Sequence, residues 1–88
     1  MTYEVIIHPQ VANNIKKLPR SQQEKIARLF DILESIAIPF REFDVKKLKG
    51  QIHRYRIRLG KFRLIYEVIK EKKTILILKL EARKKAYT

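Results

Sequence analysis

Between Tyr55 and Val68 the chain reads YRIRLGKFRLIYEV, two alternating runs on either side of Gly60-Lys61, and no other stretch constrains the fold as strongly. Strict alternation of apolar and polar residues marks a strand with one covered face. Glycine accepts the positive φ of a tight two-residue turn, so a hairpin closed at Gly60-Lys61 is the simplest solution. That turn fixes the register: Leu59 opposite Phe62, Arg58 opposite Arg63, Ile57 opposite Leu64, Arg56 opposite Ile65, Tyr55 opposite Tyr66 and Arg54 opposite Glu67. One face then carries Tyr55, Ile57, Leu59, Phe62, Leu64, Tyr66 and Val68, a platform for helices. The other carries Arg54, Arg56, Arg58 and Arg63, with Glu67 answering only Arg54. Arg58 facing Arg63 is a like-charge pair, a cost of roughly 0.2–1 kcal/mol on the cross-strand scale with its sign reversed.

The rest of the chain supplies what this hairpin needs. TYEVIIH alternates Tyr3, Val5 and Ile7 and predicts a first strand. Pro9 suits the first turn of a helix that buries Val11, Ile15 and Leu18 and stops at Pro19. SQQE at Ser21–Glu24 has the form of a capping box opening a second helix, whose buried stripe is Ile26, Leu29, Phe30, Leu33 and Ile36, with Pro39 ending it. FREFDVKKLKG, residues 40 to 50, has no clean period and reads as a connection closed by Gly50. Strand patterns follow near 52–59, 62–69 and 74–82. In the last, Leu76, Leu78 and Leu80 are expected to face the helices, leaving Ile75, Ile77, Lys79, Glu81 and Arg83 on the cationic face. An odd-length loop with Lys70 opposite Thr74 would set Glu81 across from Arg63 and bring Arg83 near the Gly60 turn. The expected fold is α+β in the order β-α-α-β-β-β, a small, mainly antiparallel sheet with two N-terminal helices packed on one face, in one domain spanning residues 1–88.

Length and composition narrow the chemistry. Eighty-eight residues with no cysteine admit neither a disulfide framework nor a thiolate metal site. His8 and His53, 45 positions apart, have no metal-ligand spacing with any carboxylate, so neither metal nor cofactor is expected. His8 reads as an end-of-strand residue and His53 as a packing residue at a strand edge. No apolar run approaches the roughly 20 residues of a membrane span, and MTYEVIIHPQ lacks the apolar core of a secretory signal. The expectation is a soluble, cytoplasmic protein without a membrane partner.

The net charge of +12 sits entirely in the second half: residues 1–45 hold six Lys/Arg and six Asp/Glu, residues 46–88 fifteen and three. That one-sidedness points to a polyanion partner. The arginines are either separate surface residues or a converging cluster; as a cluster, Arg56, Arg58, Arg63 and Arg83 offer planar donor forks suited to phosphate. Lys49, Arg54, Lys61, Lys79, Lys84 and Lys85 extend the basic surface as candidate RNA or phosphate contacts. No Ser-His-Asp or Cys-His arrangement can be built. Cleavage of RNA by its own 2′-hydroxyl needs neither metal nor enzyme nucleophile, only in-line geometry and neutralised charge on the phosphorus oxygens. Tyr87, four residues after Arg83, is either a terminal residue without a role or a ring that stacks a base or orients a hydroxyl near the 2′-oxygen.

Over nearly its whole length, through IHPQVANNIKKLP, KKLKG, YRIRLGKFRLIYEV and KLEARKKAY, the chain resembles the RelE/ParE superfamily of toxins from toxin-antitoxin modules, within it the archaeal RelE-like branch. The resemblance implies the RelE-like microbial ribonuclease fold and a ribosome-dependent mRNA endonuclease (mRNA interferase). Such an enzyme cuts in the A site by 2′-hydroxyl attack, leaves a 2′,3′-cyclic phosphate and inhibits translation. It further implies phosphate-stabilising roles for Arg58 and Arg63, a leaving-group role for Arg83 and a stacking or orienting role for Tyr87. The position proposed as general base, a lysine in the best-known members, is Arg56 here. The implied partners are an acidic RelB-like antitoxin and a 70S-type ribosome with its mRNA and rRNA. A non-catalytic ParE-like poison of gyrase, or a basic RNA-binding module, is the alternative.

Overall fold

The computed structural model of the chain describes residues 2–50 and 52–82. Five strands form one sheet: β1 (Glu4–Ile7), β2 (Asp44–Lys47), β3 (Arg54–Leu59), β4 (Phe62–Ile69) and β5 (Thr74–Ala82), in the order β1-β5-β4-β3-β2. Only β1 and β5 run parallel; the other neighbours are antiparallel. The helices α1 (Pro9–Lys16) and α2 (Arg20–Ser35) lie between β1 and β2 in sequence and cover one face of the sheet. The core is Val11, Ile26, Leu29 and Leu33 against Ile57, Leu59, Leu64, Tyr66, Val68, Ile75 and Ile77.

The central hairpin has the register its sequence dictates, from Leu59 opposite Phe62 to Arg54 opposite Glu67, with Gly60 at φ 59° in the turn. Three other elements differ from expectation. The stretch 40–50 is not only a connection: Asp44–Lys47 pairs antiparallel with Arg58–Tyr55 and forms an edge strand. Four residues with Val45 as their one apolar member carry too little alternation to be seen, and cross-strand pairing makes them a strand. On β5 the expected faces are half right. The β4–β5 connection is even, with Ile69 opposite Thr74, Lys70–Lys72 in a 3-10 turn and Lys73 left-handed at φ 50°. Ile75 and Ile77 therefore face the core, fully buried, and Leu76 lies on the opposite face. Leu78 has no partner on β4, because Ile65 pairs with Lys79 and Tyr66 with Ile77. This bulge inserts one residue and reverses the parity. Beyond it Leu80 lies opposite Leu64 and Glu81 opposite Arg63, as the sequence implies.

The helix starts differ as well. Pro19 is the N-cap of α2, its carbonyl accepting from the amides of Gln22 and Gln23 at 3.0 and 3.1 Å, and no side chain caps the helix. Ser21 is thus already helical, and the Ser21–Glu24 capping box does not form. Gln23 instead donates its side-chain amide to the Leu18 carbonyl at 2.8 Å, serving an orphan acceptor after α1. Pro9 is at the first position of α1 as expected, and His8 is its N-cap, with Nδ1 accepting from the Gln10 amide at 3.0 Å. Ile36, assigned to the buried stripe of α2, is its C-cap and is exposed.

Candidate active site

Alternate residues of the strands that build the core point away from the helices and form an open face. Arg54, Arg56 and Arg58 project from β3 and Arg63 from β4, because their neighbours Tyr55, Ile57, Leu59 and Leu64 are held on the covered side. The arginine face read from the sequence is therefore a property of the fold. Its charge balance is the expected one at Arg54 and Arg63 and differs at Arg58. Arg54 donates to Glu67 at 3.0 Å, as anticipated. Arg58, however, lies 3.6 Å from Asp44 on β2, and Arg63 lies 3.8 Å from Glu81, which also holds Lys79 at 3.0 Å. The Arg58–Arg63 repulsion is thus flanked by two carboxylates. Asp44 was missed because the strand that carries it was missed.

Arg56 differs from its neighbours. It is half-buried between Lys46 on β2 and Ile65 on β4, and no carboxylate pairs with it among the described residues. Its Nε is buried without a hydrogen-bond acceptor, and so is the Nε of Arg63. The outer ends of both side chains stay partly accessible, and a guanidinium carries five donors in all, so further donors are available there to an anion. Lys46, Lys47, Leu48 and Lys49 line a groove with Arg56 at the β2–β3 end of the sheet, so Lys49 borders the arginines and Lys46 joins them as an unforeseen cation. Lys61 is exposed in the Gly60 turn at the other end of β3.

Two aromatic and histidine positions bear on proton transfer. Tyr66 is fully buried, stacks on Tyr55 with ring centroids 5.7 Å apart and donates its hydroxyl to the Ala37 carbonyl at 2.8 Å. Burial pushes its phenol above the ordinary tyrosine range, with Tyr55 adding to the effect, so Tyr66 keeps its proton at neutral pH and is a structural residue. His53 is not a packing residue: it lies in the turn before β3, exposed, at φ 65°. Neither histidine joins the arginines, and no group of metal-ligating side chains occurs among the described residues. Arg83, Lys84, Lys85 and Tyr87 lie outside the described residues. No helix among the described residues is long and apolar enough to cross a membrane.

Arginines on an open sheet face, with no nucleophile-base pair beside them among the described residues, form a surface suited to an anion with several oxygens. Residues 5–87 match the family described as ParE toxin of type II toxin-antitoxin system, parDE. A protein of Methanocaldococcus jannaschii named as the candidate toxin RelE1 is 40% identical over 87 residues, 99% of this chain and 97% of that one. The archaeal RelE-RelB complex from Pyrococcus horikoshii OT3 contains a chain that superposes with a TM-score of 0.87 at 44% identity, covering 94% of this chain and 97% of that chain. The RelB-RelE antitoxin-toxin complex from Methanococcus jannaschii matches with a TM-score of 0.78 at 25% identity, over 93% and 94% of the two chains. The chain therefore belongs to the ParE toxin family of type II toxin-antitoxin systems, as a RelE-type toxin.

Proposed function

We propose that this toxin is a ribosome-dependent mRNA endonuclease that acts in the cytoplasm, cutting mRNA in the A site through attack of the RNA's own 2′-hydroxyl. The observation that carries this reading is the open sheet face on which Arg56, Arg58 and Arg63 stand together, with Arg58 directly opposite Arg63. In the reaction the 2′-oxygen bonds to phosphorus, the bond from phosphorus to the 5′-oxygen breaks, and the products are a 2′,3′-cyclic phosphate and a 5′-hydroxyl. Arg58 and Arg63 would neutralise the charge that grows on the non-bridging oxygens. Arg83 would stabilise the leaving 5′-oxygen, and Tyr87 would stack a base or orient the 2′-hydroxyl.

Arg56, at the position where the family resemblance implies a lysine in the best-known members, cannot be tuned to neutrality, so its contribution is charge and orientation rather than proton abstraction. Positioning and electrostatics, aided by the ribosome's hold on the mRNA, then supply most of the acceleration. The same basic surface, with Lys46 and Lys49 beside it, suits rRNA phosphates. An acidic RelB-like antitoxin is the expected inhibitor, as RelE chains from Pyrococcus horikoshii and Methanococcus jannaschii are found in complexes with RelB.

The family match to ParE toxins favours one alternative, a non-catalytic poison of a target such as gyrase. Primer extension on mRNA translated in vitro with purified toxin separates the two. The endonuclease gives discrete breaks at the A-site codon that vanish without ribosomes. Intact mRNA together with inhibited gyrase would establish the alternative.

A further inference from the structure

The open face carries carboxylates as well as arginines, and their placement is ordered. Asp44 on β2 is in register with Arg58 on β3, Arg58 with Arg63 on β4, and Arg63 with Glu81 on β5. A single row across four neighbouring strands thus reads acid, arginine, arginine, acid. The contacts at its two ends are 3.6 and 3.8 Å, longer than the roughly 2.7–2.9 Å of a charge-assisted hydrogen bond. Each carboxylate lies on the strand outside its arginine, on the side away from the other arginine. Glu81 is itself anchored by Lys79 at 3.0 Å. The middle of the row is two cations on neighbouring strands, each with a carboxylate on its outer side.

We propose that Asp44 and Glu81 are positioning residues: they hold Arg58 and Arg63 apart as the two sides of a phosphodiester-binding gap, and their negative charge limits how tightly the gap retains its ligand. This inference rests on the reading of the arginine face as an RNA phosphate site. It has a consequence that a merely structural role lacks, since binding and turnover should move in opposite directions. Neutralising either acid, one and a half strand spacings from the gap, removes a repulsion toward phosphate at about 7 Å in a solvated setting, which corresponds to roughly two- to threefold tighter binding. The same change frees a guanidinium from its fixed position, so cleavage per bound complex should fall.

The experiment measures affinity for a short single-stranded RNA at low salt, and single-turnover cleavage of ribosome-bound mRNA, for Asp44→Asn and Glu81→Gln. Glu71→Gln, in the β4–β5 turn and off the row, changes net charge equally. Asp44→Glu restores the carboxylate, and thermal melts verify folding. The expected result is roughly two- to threefold tighter RNA binding with slower cleavage for both row variants, less than about 1.5-fold change for Glu71→Gln, and recovery by Asp44→Glu. Unchanged or weaker binding in folded row variants, or an equal gain from Glu71→Gln, would overturn the positioning role. The arginine-face reading is checked separately in the same assay: if Arg58→Ala and Arg63→Ala bind RNA as the parent does, that reading is the one at fault.

Discussion

The two faces of this sheet are built from the same strands, residue by alternate residue, yet they answer to different demands. On the covered face Ile57, Leu64, Ile75 and Ile77 are all at 0% exposure against Leu29 and Leu33 of α2. On the open face Arg58, Arg63 and Glu81 keep about a third or more of their side-chain surface, at 40%, 36% and 33%. The first face lowers the free energy of the fold. The second places like charges side by side, an arrangement that costs stability and suits an anion with several oxygens. The lesson is that stability and activity should separate cleanly between adjacent positions of one strand.

Substitutions can test that separation, beginning where the effect is largest. Leu64→Ala leaves a cavity in the core and should cost about 2–5 kcal/mol in chemical denaturation. Its neighbour Arg63 should tolerate alanine within about 1 kcal/mol, since its ion pair is partly exposed. Equal losses at both positions would break the comparison. Next is Arg83→Ala, which should slow A-site cleavage by about 10² while ribosome binding falls far less, because the other cations remain. A parental rate in the folded variant would remove Arg83 from the site.

Tyr66→Phe probes the covered face more finely. It deletes the hydrogen bond to the Ala37 carbonyl and should lower stability by about 1–2 kcal/mol in a thermal melt, with cleavage retained. Loss of cleavage without loss of stability would mean that the buried face contributes directly to chemistry. Smallest of all is Ser21→Ala: with Pro19 as the cap, stability should change by less than about 0.5 kcal/mol, where a true N-cap would cost about 1.

What the sequence revealed follows the strength of its local signals. The β3–β4 register was legible to the residue because a two-residue turn at Gly60-Lys61 and strict alternation leave one solution. The strand β5 was not, since TILILKL is a continuous apolar run in which either set of alternate residues could face the helices. The bulge at Leu78 then uses both. The strand β2 depends on β3 for its existence, and with it went Asp44 and Lys46, so the arginines were found without the acid that flanks Arg58. Ser21 carried a valid capping pattern that Pro19 made unnecessary by starting the helix earlier.

The most direct test of the open face as a catalytic surface is single-turnover cleavage of mRNA positioned in the ribosomal A site by the parent and by Arg63→Ala, with melts of both proteins. Arg63 has a buried donor without an acceptor and a central place in the cationic row. The account predicts a rate lower by about 10² at a melting temperature within a few degrees of the parent. Cleavage at the parental rate by folded Arg63→Ala would contradict it.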